Sequence, residues 1–397
     1  MCELTVGNNK VAERSILSDQ LSFPIDDGPS VFGLRLEVAM QLSGLTQVAF
    51  AKEAGIKGPR SINKWIRGTA PYTRNVDGIA QASAFPSHYF LLKRPPSEVS
   101  GLNYFIRVNA PQYARDRFSA FGSLLGDMLS LAARDITLPQ MTLAEFEVPI
   151  EEASDRTPEI AAAHVRAQFG QGDRRINLVS RAEELGVVVV FGPSEIVEVD
   201  GYSGWTAGRP FIVLNPARID PSRLRMTIAH ELGHLVMHRN TNESSDADRA
   251  VREKQAHRFA RALLLPQSAD FQDRLRQAVE AYPWPPLVGI QNEFDVAVEE
   301  LLTFAQDLRI VSASHVATRA VKWASDKHEF QESASQQPTE SPRLMRDLLD
   351  ILSFERGLTI EDLASEVGIP MRYVRIMRAQ DGREAAQHRT APGSSSN

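Results

Sequence analysis

One cysteine, Cys2, is all that the 397 residues contain. A single thiol cannot close an internal disulfide, which excludes a disulfide-stapled scaffold and suits a reducing cytoplasm. Long apolar runs are missing too: nothing approaches the roughly 18 uninterrupted apolar residues of a membrane span. The first thirty residues lack the apolar centre of a secretory signal. A strong excess of one charge is also absent, since 44 Lys and Arg face 50 Asp and Glu, a formal net charge of -6. Any basic surface must therefore be local. No internal repeat of the solenoid kind is found. These absences leave a soluble cytoplasmic protein. Its length exceeds one ordinary core, and 43% hydrophobic residues supply material for two or three domains.

Composition divides the chain. Residues 1–29 are polar and read as a flexible tail. Residues 30–95 are helical and broken by glycines. Residues 96–154 read as linker and docking helices, centred on "RDRFSAFGSLLGDMLSLAAR". A mixed segment, 155–328, opens with helices "PEIAAAHVRAQFG" and "NLVSRAEELG". Three extended runs follow, "VVVVFG", "DGYSGWTAG" and "RPFIVLN". Two helical stretches come next, the second stopped by Pro266. Residues 329–341 form a polar linker, 342–380 a small helical unit, and 381–397 a tail of disorder composition.

Against this background, histidine is concentrated. Three of the nine lie in "MTIAHELGHLVMH", residues 226–238. On a helix, His230 and His234 share one face a turn apart and can aim both imidazoles at one point. Glu231 lies about 100° round the helix, placed to meet a water rather than to ligate. This is the H-E-x-x-H arrangement of metal-assisted hydrolysis, in which zinc lowers a water's pKa toward about 7 and the carboxylate takes its proton. Leu224, Ile228, Leu232 and Leu235 give the segment a buried face. His238 lies further round, and a contact with the last helix carbonyls is expected of it.

A catalytic zinc takes a third protein ligand. Glu243, Asp246 and Asp248 fall in the loop "NTNESSDAD", whereas Glu253 and His257 fall four apart on the next predicted helix. A rigid helix places a ligand better than a polar loop does.

From "PFIVLNPARIDPSRLRMTIAHELGHLVMH" to "REKQAHRFARALLLP" the chain resembles the ImmA/IrrE family of zinc metallopeptidases. Asn215, Arg223, Arg225, Thr227, His230, Glu231, His234, Glu253, Ala256, Phe259, Ala260 and Pro266 take the family's motif positions. The resemblance implies a zincin-like domain with a small sheet. It also implies one catalytic Zn2+ (Mn2+ the alternative ion) on His230, His234 and Glu253, with Glu231 as catalytic base. His257 stands where the family carries Asn, as a spare ligand or an oxyanion donor, and Met226 where it carries Phe. Such proteins are cytoplasmic proteases that cut one or a few protein partners, often a transcriptional repressor, in stress, phage or mobile-element responses. Edge pairing by "FIVLN" is the expected mode of holding an extended substrate.

Residues 30–95 resemble the Xre/Cro-type helix-turn-helix. Thr46 and Gln47 open its second helix, Ala51 and Gly55 pack and turn, and "PRSINKWIRG" forms the third. The resemblance implies DNA contacts from Gln47, Arg60, Ser61, Asn63 and Lys64. Seven Lys and Arg against two Glu between Arg35 and Arg74 supply a local positive excess. Such domains also dimerise or grip a protein partner, so a homodimer is a further expectation. "LTIEDLASEVGIP" reads as a stunted helix-turn-helix or, preferably, as part of a helical pair packed on the body.

The expected fold is α+β and mostly helical. Two functions compete: a zinc endopeptidase carrying a DNA-binding or partner-binding helix-turn-helix, and a DNA-binding regulator whose zinc domain is sensory or inactive.

Overall fold

The computed structural model describes residues 30–70, 75–106, 112–146, 156–170, 175–193, 199–218, 221–239, 246–330 and 340–388. The expected tails at 1–29 and 389–397, most of the expected linker, and Glu243 lie outside them. The architecture is mostly helical α+β with one four-stranded sheet. No helix among the described residues is long and apolar enough to cross a membrane.

Four short helices come first: α1 (Val31–Ser43), α2 (Gln47–Glu53), α3 (Pro59–Ile66) and α4 (Val76–Ser83). Ser30 caps α1 through the Gly33 amide, and Gly44 ends it with φ +72°. Thr46 caps α2 through the Ala49 amide, and Pro59 opens α3 where its missing N–H costs nothing. Leu36, Phe50, Ile62 and Ile79, all without exposed surface, form the shared core. Gly33 permits it: a Cβ there would meet the Trp65 carbonyl oxygen at 2.3 Å.

The sheet is built from β1 (Val99–Ile106), β2 (Val188–Phe191), β3 (Val199–Thr206) and β4 (Arg209–Leu214), in the order β1-β3-β4-β2. β3 is antiparallel to both β1 and β4, and β2 is parallel to β4. A two-residue turn joins β3 to β4, with Ala207 and Gly208 at φ +49° and +71°, the handedness that matches strand twist.

Helix α5 (Gln112–Ala132) covers one face, where Phe118 lies 4.2 Å from Tyr202 between ring centroids. Helices α6 (Thr157–Phe169) and α7 (Leu178–Glu184) precede β2. On the opposite face lies α8 (Pro221–Met237), with α9 (Asp246–Leu264) packed on it. After them come α10 (Ala269–Glu280), α11 (Pro285–Phe294), α12 (Val298–Asp307) and α13 (Ala313–Asp326). The chain's last described helices are α14 (Leu344–Arg356), α15 (Ile360–Val367), α16 (Met371–Arg378) and α17 (Gly382–Gln387).

Four expectations are corrected. The segment 96–154 is not only linker and docking helix, because β1 lies in it and pairs with β3 through two register irregularities. The strand "FIVLN" is no edge: β4 has β3 on one side and β2 on the other, so both its backbone sides are taken. Among the described residues the open edges belong to β1 and β2, and edge pairing on β4 is overturned. Asp246 and Asp248 lie in the first turn of α9 rather than in a loop. The tail expected from 381 begins with a helix, since Asp381 accepts from the Arg383 and Glu384 amides at 2.8 Å each and Ala385 is buried.

The C-terminal helices pack on the body. α14 and α16 lie against β2, and Tyr373, Val374, Ile376 and Met377 of α16 are buried. The Tyr373 hydroxyl donates to the Leu42 carbonyl at 3.2 Å, which ties α16 to the N-terminal helices. The helix that would read DNA in a second helix-turn-helix is thus a core element.

Candidate metal centre

Helix α8 runs along β3 on the face that carries Gly201, Ser203 and Trp205. Only glycine fits at 201, where a Cβ would come within 2.5 Å of the Thr227 methyl. One turn on, the Ser203 hydroxyl donates to Glu231 Oε2 at 2.5 Å. Past the helix end, the Arg239 guanidinium stacks 3.9 Å from the centroid of Trp205. Small residues bring the helix close at one end, and a cation–π stack holds it at the other.

Helix α9 approaches α8 as closely. A Cβ on Gly233 would meet the Phe259 ring at 2.9 Å, so this glycine of the histidine motif sets the interhelix distance. Two ion pairs fix α9 from behind: Arg258 on Glu159 of α6 at 2.8 and 3.0 Å, and Arg261 on Asp307 of α12 at 2.7 Å.

His230 Nε2 lies 3.0 Å from His234 Nε2. Glu253 reaches both, with Oε2 at 3.2 Å from His230 Nε2 and Oε1 at 3.3 Å from His234 Nε2. His257 joins from α9: one ring nitrogen each of His257 and His230 and a carboxylate oxygen of Glu253 all lie within 4.8 Å of one another. Both motif histidines and Glu231 are buried, while the Glu253 side chain is 26% exposed.

Burial pushes the His230 pKa down to about 3, against the opposing effect of a hydrogen bond accepted by Glu253. It pushes His257 down as well, against the field of Glu300. Burial alone would raise the Glu253 carboxyl, but hydrogen bonds to His230 and His234 outweigh it and hold the group below the usual carboxylate range. At neutral pH, His230 therefore offers a bare imidazole lone pair and Glu253 an ionised oxygen. Two nitrogens and one carboxylate oxygen suit a zinc-class ion, and the donor set fits.

The structure thus brings together His230, His234, Glu253 and His257, with Glu231 alongside. His238 is not turned to the helix-end carbonyls. Its ring is buried, with Nδ1 at 3.0 Å from His234 Nδ1 and Nε2 at 2.9 Å from Gln255 Oε1. Ser203 and Gln255 were not anticipated. Neither has a local signal, because each contact depends on how α8 crosses β3 or α9.

The five residues expected on DNA lie apart, on or beside α3. Arg60, Asn63 and Lys64 are exposed, and Ser61 is half-buried. The half-buried Gln47 donates to Asn63 Oδ1 at 3.1 Å, which joins α2 to α3 at that surface.

A second buried charge cluster backs α8. Arg225 donates to the carbonyls of Ile176 at 2.7 Å and Phe294 at 3.2 Å, and it pairs with Glu340. Glu340 Oε2 also accepts from the Leu178 and Val179 amides, at 2.7 and 3.0 Å, and so caps α7. Far from being linker, Glu340 fastens the C-terminal unit behind the histidine helix.

The family model of the IrrE N-terminal-like domain, a peptidase family, matches residues 182–302. No curated protein and no solved structure matches the chain. The match takes in both α8 with its histidines and α9 with Glu253, and it supports the ImmA/IrrE resemblance and a metallopeptidase over this part of the chain.

Proposed function

We propose that the protein is a zinc-dependent endopeptidase that cleaves a specific cytoplasmic protein partner, a transcriptional repressor or antitoxin-like regulator, in a stress, phage or mobile-element response. The observation that carries the reading is the convergence of His230, His234 and Glu253 to 3.0–3.3 Å beside Glu231. A bound divalent ion supplies Lewis acidity to a scissile carbonyl and acidity to a water. The residues of this chain do the rest. His230, His234 and Glu253 would hold the ion.

Glu231 is the proton acceptor, and Ser203 fixes its Oε2, so the carboxylate needs no reorientation when the proton arrives. The same carboxyl can return that proton to the leaving amine. His257 is placed to donate to a developing oxyanion or to complete the ligand set. An extended substrate has the outer edge of β1 to pair with, in place of β4.

The test is metal content together with Glu231→Gln. The variant keeps its metal and loses cleavage of proteins encoded beside it. Cleavage that survives the substitution refutes the assignment.

A second reading, a DNA-binding regulator, is favoured by one feature. The exposed side of α3 presents Arg60, Asn63 and Lys64 beside Gln47, an arrangement suited to a major groove. Mobility shifts with the chain's own upstream DNA and with random duplex test it, and blank lanes in both remove it.

A further inference from the structure

We propose that His238 and Gln255 are positioning residues, a relay that locks His234 in the one tautomer a metal can use. The inference rests on the metal reading above and adds to it the proton arrangement behind the ligand.

His234 Nε2 is the nitrogen turned to the donor cluster, 3.0 Å from His230 Nε2 and 3.3 Å from Glu253 Oε1. A neutral imidazole that offers its Nε2 lone pair carries its proton on Nδ1. That nitrogen lies 3.0 Å from His238 Nδ1, which must then be bare to accept. A neutral ring with a bare Nδ1 is protonated at Nε2, and His238 Nε2 lies 2.9 Å from Gln255 Oε1. An amide oxygen only accepts. The opposite order would put the His234 proton on Nε2, where it would donate to Glu253 Oε1 and close that nitrogen to a metal. With a metal on His234 Nε2, the remaining two contacts leave a single proton order, from His234 through His238 to Gln255.

The relay differs from a carboxylate behind a ligating histidine. It fixes the ring's tautomer and orientation without adding a negative charge, so less electron density reaches the ion and more of its Lewis acidity remains. It also spans two elements, since His234 and His238 come from α8 and Gln255 from α9. Orientation of the ligand is thereby tied to the packing of the two helices that carry the donor set.

The full chain labelled with 15N-histidine tests the relay directly. Long-range proton–nitrogen correlation of the zinc-loaded protein should show His238 as the Nε2–H tautomer with an unprotonated Nδ1. Zinc affinity, read by competition with a chromophoric chelator, should fall about 10- to 100-fold in both His238→Leu and Gln255→Leu. Gln255→Glu, which keeps the acceptor and adds the negative charge that the amide lacks, should bind zinc at least as tightly as the unsubstituted protein. If circular dichroism shows that His238→Leu does not fold, Gln255→Leu carries the test, because its side chain is half-exposed. The Nδ1–H tautomer at His238, or unchanged zinc affinity in the folded leucine variants, overturns the relay alone. An unsubstituted protein that takes up no zinc overturns the metal reading and the relay with it.

Discussion

The Ser203 hydroxyl donates to Glu231 Oε2 at 2.5 Å across 28 residues of sequence, joining β3 to the helix that carries the metal motif. Ser203 is fully buried, so water does not compete for the bond. A hydrogen bond to an ionised group contributes about 1.5–3 kcal/mol, which is about 10- to 100-fold in rate if it acts on the base during proton transfer. Ser203→Ala should therefore retain its zinc and its KM while kcat falls by that factor. Steady-state kinetics on a cleaved partner, with metal content measured on the same sample, check it. An unchanged kcat would show that Glu231 is placed by the helix alone.

Gly233→Ala probes the approach of α9. Its new Cβ would sit 2.9 Å from the rigid, buried Phe259 ring, so the helices must separate or the ring must turn. Overpacking of this kind costs about 1–3 kcal/mol. Because Glu253 rides on α9, zinc affinity should fall together with the denaturation midpoint. Retained affinity in a destabilised protein would mean that the ligand geometry is set elsewhere.

Glu340→Ala tests the cluster behind α8. It leaves the buried Arg225 guanidinium without its carboxylate partner and strips α7 of the cap on Leu178 and Val179. Removing one partner of a buried pair costs about 3–5 kcal/mol. Urea unfolding should show a loss of that order, although residue 340 lies well outside the peptidase match. A loss below about 1 kcal/mol would show that another carboxylate, that of the buried Asp295 whose field also acts on Arg225, compensates.

Glu183 gives a pH dependence. Burial pushes its carboxyl up to about 7, even though Oε1 accepts from the Arg343 and Leu344 amides at 2.9 Å each. The folded state therefore holds a proton that the unfolded chain has released. Stability from this group is full below the ordinary value of 4.5 and is lost as pH rises through about 7. Glu183→Gln should flatten that slope between pH 4.5 and 7 in thermal unfolding. An unaltered slope would place the titration on another group.

Much of this was legible in the sequence because its signals are local. The spacing of His230 and His234 needs only a helix, and the β-branched run at 187–190 and the turn at Ala207–Gly208 announce strands by themselves. What could not be read depends on distant partners. Among the described residues β1 pairs with one strand, about a hundred residues away, and Gly101 at φ +57° breaks its alternation. The interior place of β4 follows from β2 pairing on its far side, and strand order is not encoded in "FIVLN". His238 was expected at helix-end carbonyls because Gln255, which fixes its ring, lies on another helix. Glu340 sits in a polar stretch that composition reads as linker, and only the folded chain buries it against Arg225.

The central claim is that His230, His234 and Glu253 hold a catalytic zinc, and metal analysis tests it most directly. Elemental analysis of the purified chain should find one zinc per chain in the unsubstituted protein and in Glu231→Gln, with most of it lost in Glu253→Ala. A protein without a stoichiometric transition metal, or a Glu253→Ala variant that keeps its full complement, would contradict the claim.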